Sequence, residues 1–122
     1  MITAKYFSEK EFKACVPSCS LQDMQQHTMA RLDNAREIAG IPFVLNSAYR
    51  SVKWEKAHNR TGTGAHSHGC GVDIRCNTSR NRLKIVMACL QAGFTRIGIG
   101  KTYIHVDDDP EKDQNVMWHY YE

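Results

Sequence analysis

The chain has 122 residues, of which 42% are hydrophobic and 24% are charged, and its formal net charge is +3. This composition is that of an ordinary globular protein and argues against a disordered chain, a low-complexity tract or a fixed-period repeat array. No apolar run approaches the length that spans a bilayer, so we expect no membrane insertion.

The length predicts a single domain over residues 1–122, and we expect this domain to act as a monomer. Residues 1–12 lack the basic and then apolar layout of a secretory signal, so we expect synthesis in the cytoplasm without a signal peptide. The five cysteines are an odd number in a chain longer than most disulfide scaffolds, which favours reduced thiols.

The charge is unevenly distributed along the chain. Residues 1–106 carry 15 Lys and Arg against 7 Asp and Glu, whereas residues 107–122 carry one Lys against 6 acidic residues. The basic surplus is compatible with an anionic partner. Because the basic residues are dispersed and form no recognised nucleic-acid motif, a mixed solvated surface is favoured and we expect no nucleic-acid partner.

The first third of the chain predicts two helices. Ser8 is followed three residues later by a glutamate, the signature of a capping box, and predicts a helix to about Cys15. Ser20 can cap a second helix, because apolar or weakly polar residues recur at helical spacing over residues 21–39. Gly40 stands where such a helix ends.

The next segments predict little regular structure. Residues 41–47 predict a short strand, and residues 48–51 follow it as a loop. Residues 54–68 are polar and rich in glycine, so we expect mostly loop there, with one helical turn over 54–59.

The second half of the chain predicts one helix among several strands. Thr78 or Ser79 can cap a helix that ends at Gly93, and Gly100-Lys101 predicts a hairpin turn. The strand candidates are residues 72–75, 94–99, 102–106 and 116–121. This order of elements predicts an α+β fold, with helices packed on one face of a small, mainly antiparallel sheet. It does not predict the order of the strands.

The stretch GAHSHGCGVDIRC, residues 64–76, contains residue types that bind metals. An imidazole at His66 and a carboxylate at Asp73 are good zinc ligands, and three protein ligands with one open position are typical of a catalytic site. The predicted strand around His105 supplies a third ligand, because His105 and Asp107 project from one face of that strand. Isolated histidines beside glycine are also common as merely hydrogen-bonded residues.

Three sequence motifs in the correct order carry a resemblance to a known family. The pattern H-x-x-G-x-x-x-D spans residues 66–73, the stretch SAYRS precedes it at 47–51, and IHVD follows it at 104–107. Together they resemble the zinc D-alanyl-D-alanine carboxypeptidases, above all the short, single-domain form of cell-wall carboxypeptidases and phage endolysins. The resemblance covers about half of the chain.

The resemblance implies a set of site residues. It places one Zn²⁺ on His66, Asp73 and His105, in a cleft at the sheet. The arginine of the S-x-x-R stretch falls on Arg50, which would hold an oxyanion or a substrate carboxylate and count among both the catalytic and the substrate-binding residues. Further substrate contacts are expected at Ser47, Tyr49, Tyr103 and His68.

The general base transfers less directly. Several branches of the family have a glutamate three residues before the last histidine ligand, but this position is Thr102 here. Asp107 is the nearest carboxylate on the same strand face and is our candidate base, with His68 and His119 as alternatives.

Several other cysteine and aromatic residues are more simply interpreted as packing residues. Cys70 and Cys76 flank Asp73, but small buried cysteines are common in cores and we expect packing. Trp118, Tyr120 and Tyr121 could line a substrate groove, but core or edge packing is favoured.

The resemblance implies a zinc metallopeptidase that hydrolyses amide bonds in peptidoglycan stem peptides, as a D,D-carboxypeptidase or an endopeptidase of endolysin type. Such an enzyme would act on the cell wall after release or export. The alternative is a catalytically inactive, zinc-containing module of the same fold that binds the cell wall, which Thr102 in place of the glutamate would permit.

Overall fold

The computed structural model describes residues 1–121, so that Glu122, the last residue of the predicted domain, lies outside the described residues. The helices are α1 (Glu9–Lys13), α2 (Gln26–Ala39), α3 (Val52–Ala57) and α4 (Ser79–Gln91). The strands are β1 (Leu45–Ser47), β2 (Gly71–Arg75), β3 (Arg96–Ile99), β4 (Tyr103–Asp107) and β5 (Val116–His119). Within residues 1–121 no helix combines the length and apolar character needed to cross a bilayer.

The five strands form one open sheet in the order β1-β2-β4-β3-β5. Every neighbouring pair is antiparallel except β3 and β5, which are parallel. Helices pack against this sheet, which confirms the predicted α+β fold with a mainly antiparallel sheet.

The two faces of the sheet have different chemistry because side chains alternate along each strand. On β2 and β4 the apolar side chains are fully buried in the core, and they are Val72, Ile74, Ile104 and Val106. Burying each of these contributes about 1.5–3 kcal/mol to folding. Asp73 and His105 occupy the intervening positions, so the opposite face of the sheet carries the polar residues.

The second helix begins later than predicted. Ser20 does act as a cap, since its hydroxyl accepts a hydrogen bond from the Gln22 N–H at 3.1 Å, but it caps a short 3-10 turn over Leu21–Asp23. Met24 is extended and interrupts the helical path, and α2 starts at Gln26. The end is as predicted, because Gly40 adopts the left-handed conformation with φ +68°.

The helical turn predicted over residues 54–59 is present, but it begins two residues earlier, as α3. The Ser51 hydroxyl accepts a hydrogen bond from the Trp54 N–H at 3.0 Å, and this cap begins α3 at Val52. The consequence is that Glu55 lies on an ordered helix and is buried there.

The β3–β4 hairpin turns one residue later than predicted. The Gly100 N–H donates to the Tyr103 carbonyl at 2.9 Å, so that Lys101 and Thr102 form the turn instead of Gly100 and Lys101. This register places Arg96 directly opposite Asp107.

Gly69 fixes the loop that enters β2. Its φ is +72°, and a Cβ at this position would lie 2.5 Å from the Asp23 carbonyl oxygen. The Gly69 carbonyl also accepts a hydrogen bond from the Gln25 N–H at 3.0 Å, which joins this loop to the start of α2. The backbone at Gly69 therefore requires glycine for both its conformation and its close approach.

We predict that Gly69→Ala lowers the free energy of unfolding by about 2 kcal/mol or more, from left-handed strain together with the clash. Urea unfolding of the variant and of Gly64→Ala measures the difference. Gly64 is the matched control because a Cβ there meets nothing within 4 Å. Equal stability of the two variants would contradict this account of the loop.

Candidate metal centre

Three side chains from separate parts of the chain converge on the polar face of the sheet. His66 lies in the loop before β2, while Asp73 and His105 are register partners in the centre of β2 and β4. Each offers one ligand atom, and these atoms all lie within 4.8 Å of one another. The structure thus brings together the three residues that the sequence predicts as metal ligands.

The loop of His66 is held to the segment after β1. The Arg50 N–H donates to the His66 carbonyl at 3.3 Å, and the Ser67 hydroxyl donates to the Arg50 carbonyl at 2.8 Å. The ring of His66 is oriented by its Nδ1, which lies 2.6 Å from the Ala48 carbonyl oxygen. Because a carbonyl only accepts, Nδ1 carries a proton, and in the neutral form of the ring Nε2 carries the lone pair.

The Nε2 atom of His66 is buried and points at the other two residues. It lies 3.3 Å from Asp73 Oδ1 but forms no hydrogen bond of acceptable geometry with any of residues 1–121. A buried, orphaned nitrogen whose partner ring nitrogen donates to a carbonyl is the arrangement of a metal-ligating histidine.

His105 bridges two carboxylates. Its Nε2 lies 2.6 Å from Asp107 Oδ2 and its Nδ1 lies 3.0 Å from Asp73 Oδ1. With a proton on Nε2 donated to Asp107, the lone pair of Nδ1 faces Asp73. Two imidazole lone pairs and one carboxylate oxygen then converge, and this donor set fits Zn²⁺ with a further coordination position.

The electrostatics of the metal-free protein follow from these contacts. Burial raises the pKa of Asp73, but the hydrogen bond with His105 and the nearby imidazole of His66 outweigh burial and hold that pKa below its usual range. Burial lowers the pKa of His105, but the hydrogen bonds to Asp107 and Asp73 outweigh it and raise the pKa to about 8. A metal ion and a proton would therefore compete for Nδ1 of His105.

Asp107 is fully buried, and both of its carboxylate oxygens accept hydrogen bonds. Oδ2 accepts from His105, and Oδ1 accepts from Arg96 Nε at 2.7 Å and from the Asp109 N–H at 3.2 Å. Burial raises the pKa of Asp107, but the hydrogen bond from His105 outweighs burial and lowers it. Asp107 is thus an ionised carboxylate held between an imidazole and a guanidinium.

A cleft of about 440 Å³ opens beside these residues. Besides the three candidate ligands and Asp107, its walls carry four basic side chains, Arg50, Arg60, Arg96 and Lys112, and three aromatic ones, Tyr103, Trp118 and Tyr120. Basic and aromatic walls of this kind suit a ligand with carboxylates and apolar groups.

Arg50 points into this cleft next to the candidate ligands. Its Nη2 lies 3.5 Å from Asp73 Oδ2, and its side chain is only 12% exposed. Its Nε lies 3.6 Å from Glu55 Oε1, and Glu55 also approaches Arg60 at 3.5 Å. Glu55 is a buried carboxylate that balances two cleft arginines, and no motif in the sequence points to it.

The other four residues predicted to contact substrate do not all line the cleft. Tyr103 lines the cleft, whereas Tyr49 packs against the hydrophobic core. Ser47 lies opposite Asp73 in the β1–β2 pair, buried, with its hydroxyl unpaired among residues 1–121. His68 Nδ1 lies 2.7 Å from Asp109 Oδ2, outside the cleft lining.

Trp118 and Tyr120 line the cleft, although core or edge packing was favoured from the sequence. Trp118 stands over the sheet, with its ring centroid 5.6 Å from that of His105. A Cβ at Gly98 would lie 2.7 Å from Trp118 Nε1, so glycine on β3 leaves the space for this ring. In the sequence, the signal for this part of the cleft is the alternation of aromatic residues at Trp118 and Tyr120, together with Gly98 in a predicted strand.

The raised pKa of His105 predicts a pH-dependent stability of the zinc-free protein. In the unfolded chain its pKa is 6.5, so the stabilising contribution is complete below that pH and is lost as the pH rises through about 8. We expect the free energy of unfolding to fall by about 2 kcal/mol from about pH 6 to about pH 9. Chemical unfolding after chelation measures this fall, and His105→Gln should abolish it. An equal fall in His105→Gln would assign it to another group.

Comparison with known families gives a match over most of the chain. The sequence model of a family described as Peptidase M15 matches residues 5–107. The matched span runs from before α1 to the end of β4 and includes His66, Asp73, His105 and Arg50, while β5 follows it. A comparison with curated proteins finds no match.

Proposed function

Because the chain belongs to the peptidase M15 family, of the zinc D-Ala-D-Ala carboxypeptidase type, we propose that it is a zinc-dependent peptidase that hydrolyses amide bonds in peptidoglycan stem peptides. Family membership supports a metallopeptidase. The specific reaction is our proposal, as a D,D-carboxypeptidase that removes a terminal D-alanine or as an endopeptidase that cuts within the stem.

One observation carries this proposal. The orphaned Nε2 of His66, Nδ1 of His105 and a carboxylate oxygen of Asp73 meet at a cleft that a peptide can enter. Zn²⁺ held by these three residues would supply Lewis-acid chemistry, which activates water and polarises the amide carbonyl. Asp107 would fix the tautomer of His105, and the Ala48 carbonyl would fix that of His66.

Arg50 would act on the substrate directly. Its guanidinium lies beside Asp73 at the cleft, where it can donate hydrogen bonds to the carbonyl oxygen as negative charge develops, or to a terminal carboxylate. Glu55 approaches the same guanidinium through Nε at 3.6 Å and would help to orient it. The remaining basic side chains of the cleft, Arg60 and Lys112, would attract the carboxylates of the stem.

We propose Asp107 as the general base because, of the three candidates, it alone lines the cleft. To accept a proton it must give up a hydrogen bond from His105 or Arg96. His68 is paired with Asp109, and His119 neighbours Trp118 on β5 and so points to the opposite side of that strand.

The place of action is also part of the proposal. The basic surplus of residues 1–106 fits an anionic cell wall, which the protein would reach after release or export. We propose that it works there as a monomer, since a single copy already brings the three candidate ligands and Arg50 to one cleft.

A second candidate function is a zinc-containing module that binds the cell wall without cleaving it. Two observations favour it. Thr102 stands where several relatives have a catalytic glutamate, and both oxygens of Asp107 are already engaged. This module would retain the metal and the affinity for stem peptides but lack turnover.

Digestion of purified peptidoglycan tests the proposed function. We expect the zinc-loaded protein to release free amino groups, and His66→Ala or a chelator to lower the rate by at least about 100-fold, since loss of an outer-shell partner alone costs about 10–100-fold. His58→Ala is the control, because His58 is an exposed histidine outside the cleft. Mass spectrometry of the fragments identifies the bond that is cut.

Each other outcome of the digestion has a definite meaning. Zinc binding without amine release selects the wall-binding module. Absence of zinc binding by the wild-type protein overturns the proposal.

We predict that Asp107→Asn, assayed at a zinc concentration that saturates the variant, lowers turnover by about 100-fold or more, because the amide cannot accept the proton from water. His68→Gln and His119→Gln, which replace the alternative bases, should retain turnover. Activity of Asp107→Asn close to that of the wild type, with zinc bound, would show that the base is another residue.

A further inference from the structure

We infer that Arg96 is a positioning residue of the metal centre, which holds Asp107 so that Asp107 can hold His105. This inference rests on the proposed function, because it concerns the residues that would bind zinc. The three candidate ligands would then be supported by a residue of β3. That residue is in turn held by the segment after residue 107, where the family match ends.

The contacts form a continuous chain from β3 to the candidate ligand. Arg96 Nε donates to Asp107 Oδ1 at 2.7 Å, and His105 Nε2 donates to Asp107 Oδ2 at 2.6 Å. The side chain of Arg96 is 14% exposed and that of Asp107 only 1%. One carboxylate therefore joins the guanidinium to the imidazole, and solvent has little access to the link.

The orientation of His105 depends on this carboxylate. A proton on Nε2, donated to Asp107, leaves Nδ1 as the nitrogen that faces Asp73 and a metal. Asp107 in turn depends on Arg96, because a buried carboxylate without a cation is costly and would turn or take up other partners. Loss of Arg96 should thus weaken the metal site without touching any ligand.

Arg96 is itself fixed by three further features. The hairpin register sets it opposite Asp107, and its Nη1 donates to the Asp113 carbonyl at 2.6 Å. Its guanidinium also stacks over Trp118, 5.1 Å from the ring centroid. A lysine cannot reproduce this set, because one ammonium does not donate in two fixed directions while stacking on a ring.

A competing interpretation is that Arg96 is simply a substrate-binding cation, since it lines the cleft. The two interpretations predict different zinc affinities in the absence of substrate. A substrate contact leaves the zinc affinity of the free protein unchanged, whereas a positioning residue changes it.

The experiment measures zinc affinity of the full chain by competition with a chromophoric chelator, with no substrate present. We expect Arg96→Gln to bind zinc about 10–100-fold more weakly than the wild type, and Arg96→Lys to remain at least several-fold weaker. Arg75→Gln, at an exposed arginine on β2 outside the cleft, should bind as the wild type does. Equal affinities of Arg96→Gln and Arg75→Gln would overturn the inference.

A double-mutant cycle with Asp107→Asn shows whether Arg96 acts through Asp107. We expect the double variant to bind zinc about as weakly as Asp107→Asn alone, because the link is already broken. If the loss of zinc affinity in the double variant equals the product of the two single fold-changes, the inference is overturned. If Arg96→Gln does not fold because the Asp107 carboxylate is left without its cation, the comparison of the double variant with Asp107→Asn carries the test. Both of these variants lack the buried carboxylate charge of Asp107.

The two proposals fail in different ways. A wild-type protein that binds no zinc overturns the proposed function. A wild-type protein that binds zinc tightly, with unchanged affinity in the folded Arg96 variants, overturns only the role of Arg96.

Discussion

The antiparallel pairing of β2 with β4 is the constraint on which the candidate site depends. It sets Asp73 directly opposite His105, so that the two functional groups meet on one face while Ile74 and Ile104 meet in the core on the other. A shift of one residue between these strands would turn the site residues into the core. Burial of the apolar face and assembly of the site are therefore the same structural event.

The site concentrates charge where the sheet is least accessible to water. Asp73, Asp107 and Arg96 are all largely buried, and hydrogen bonds and opposite charges from their partners offset part of the hydration that each loses. Histidine 105 lies between the two carboxylates and connects their hydrogen bonds. Removal of any one member leaves a buried charge without its partner, which explains why such a cluster imposes one arrangement on its side chains.

The parts of this structure that local rules govern were predictable from the sequence. The capping box at Ser8, the left-handed glycine at Gly40 and the alternation around His105 each involve residues close in the chain. The fold class followed from the order of elements. The convergence of His66 with Asp73 was predictable only because a motif resembling a known family spans both.

The parts that depend on register and on distant contacts were not predictable. The hairpin turn lies one residue later than the sequence indicated, and this single residue decides that Arg96 faces Asp107. Trp118 reaches the cleft because β5 pairs with β3 in parallel, a pairing that no local pattern encodes. The burial of Glu55 likewise depends on how α3 packs, which the helical turn predicted over residues 54–59 does not specify.

The peripheral position of β5 has a consequence for how such a protein can change. Within residues 1–121 this strand pairs with a single neighbour, yet two of the three aromatic side chains that line the cleft come from Trp118 and the adjoining Tyr120. Exchange of the Tyr120 side chain would leave intact both the pairing of β2 with β4 and the contact of Trp118 with Arg96. Selection can therefore reshape the wall of the cleft at the border of the fold, while the residues at its centre are inherited unchanged.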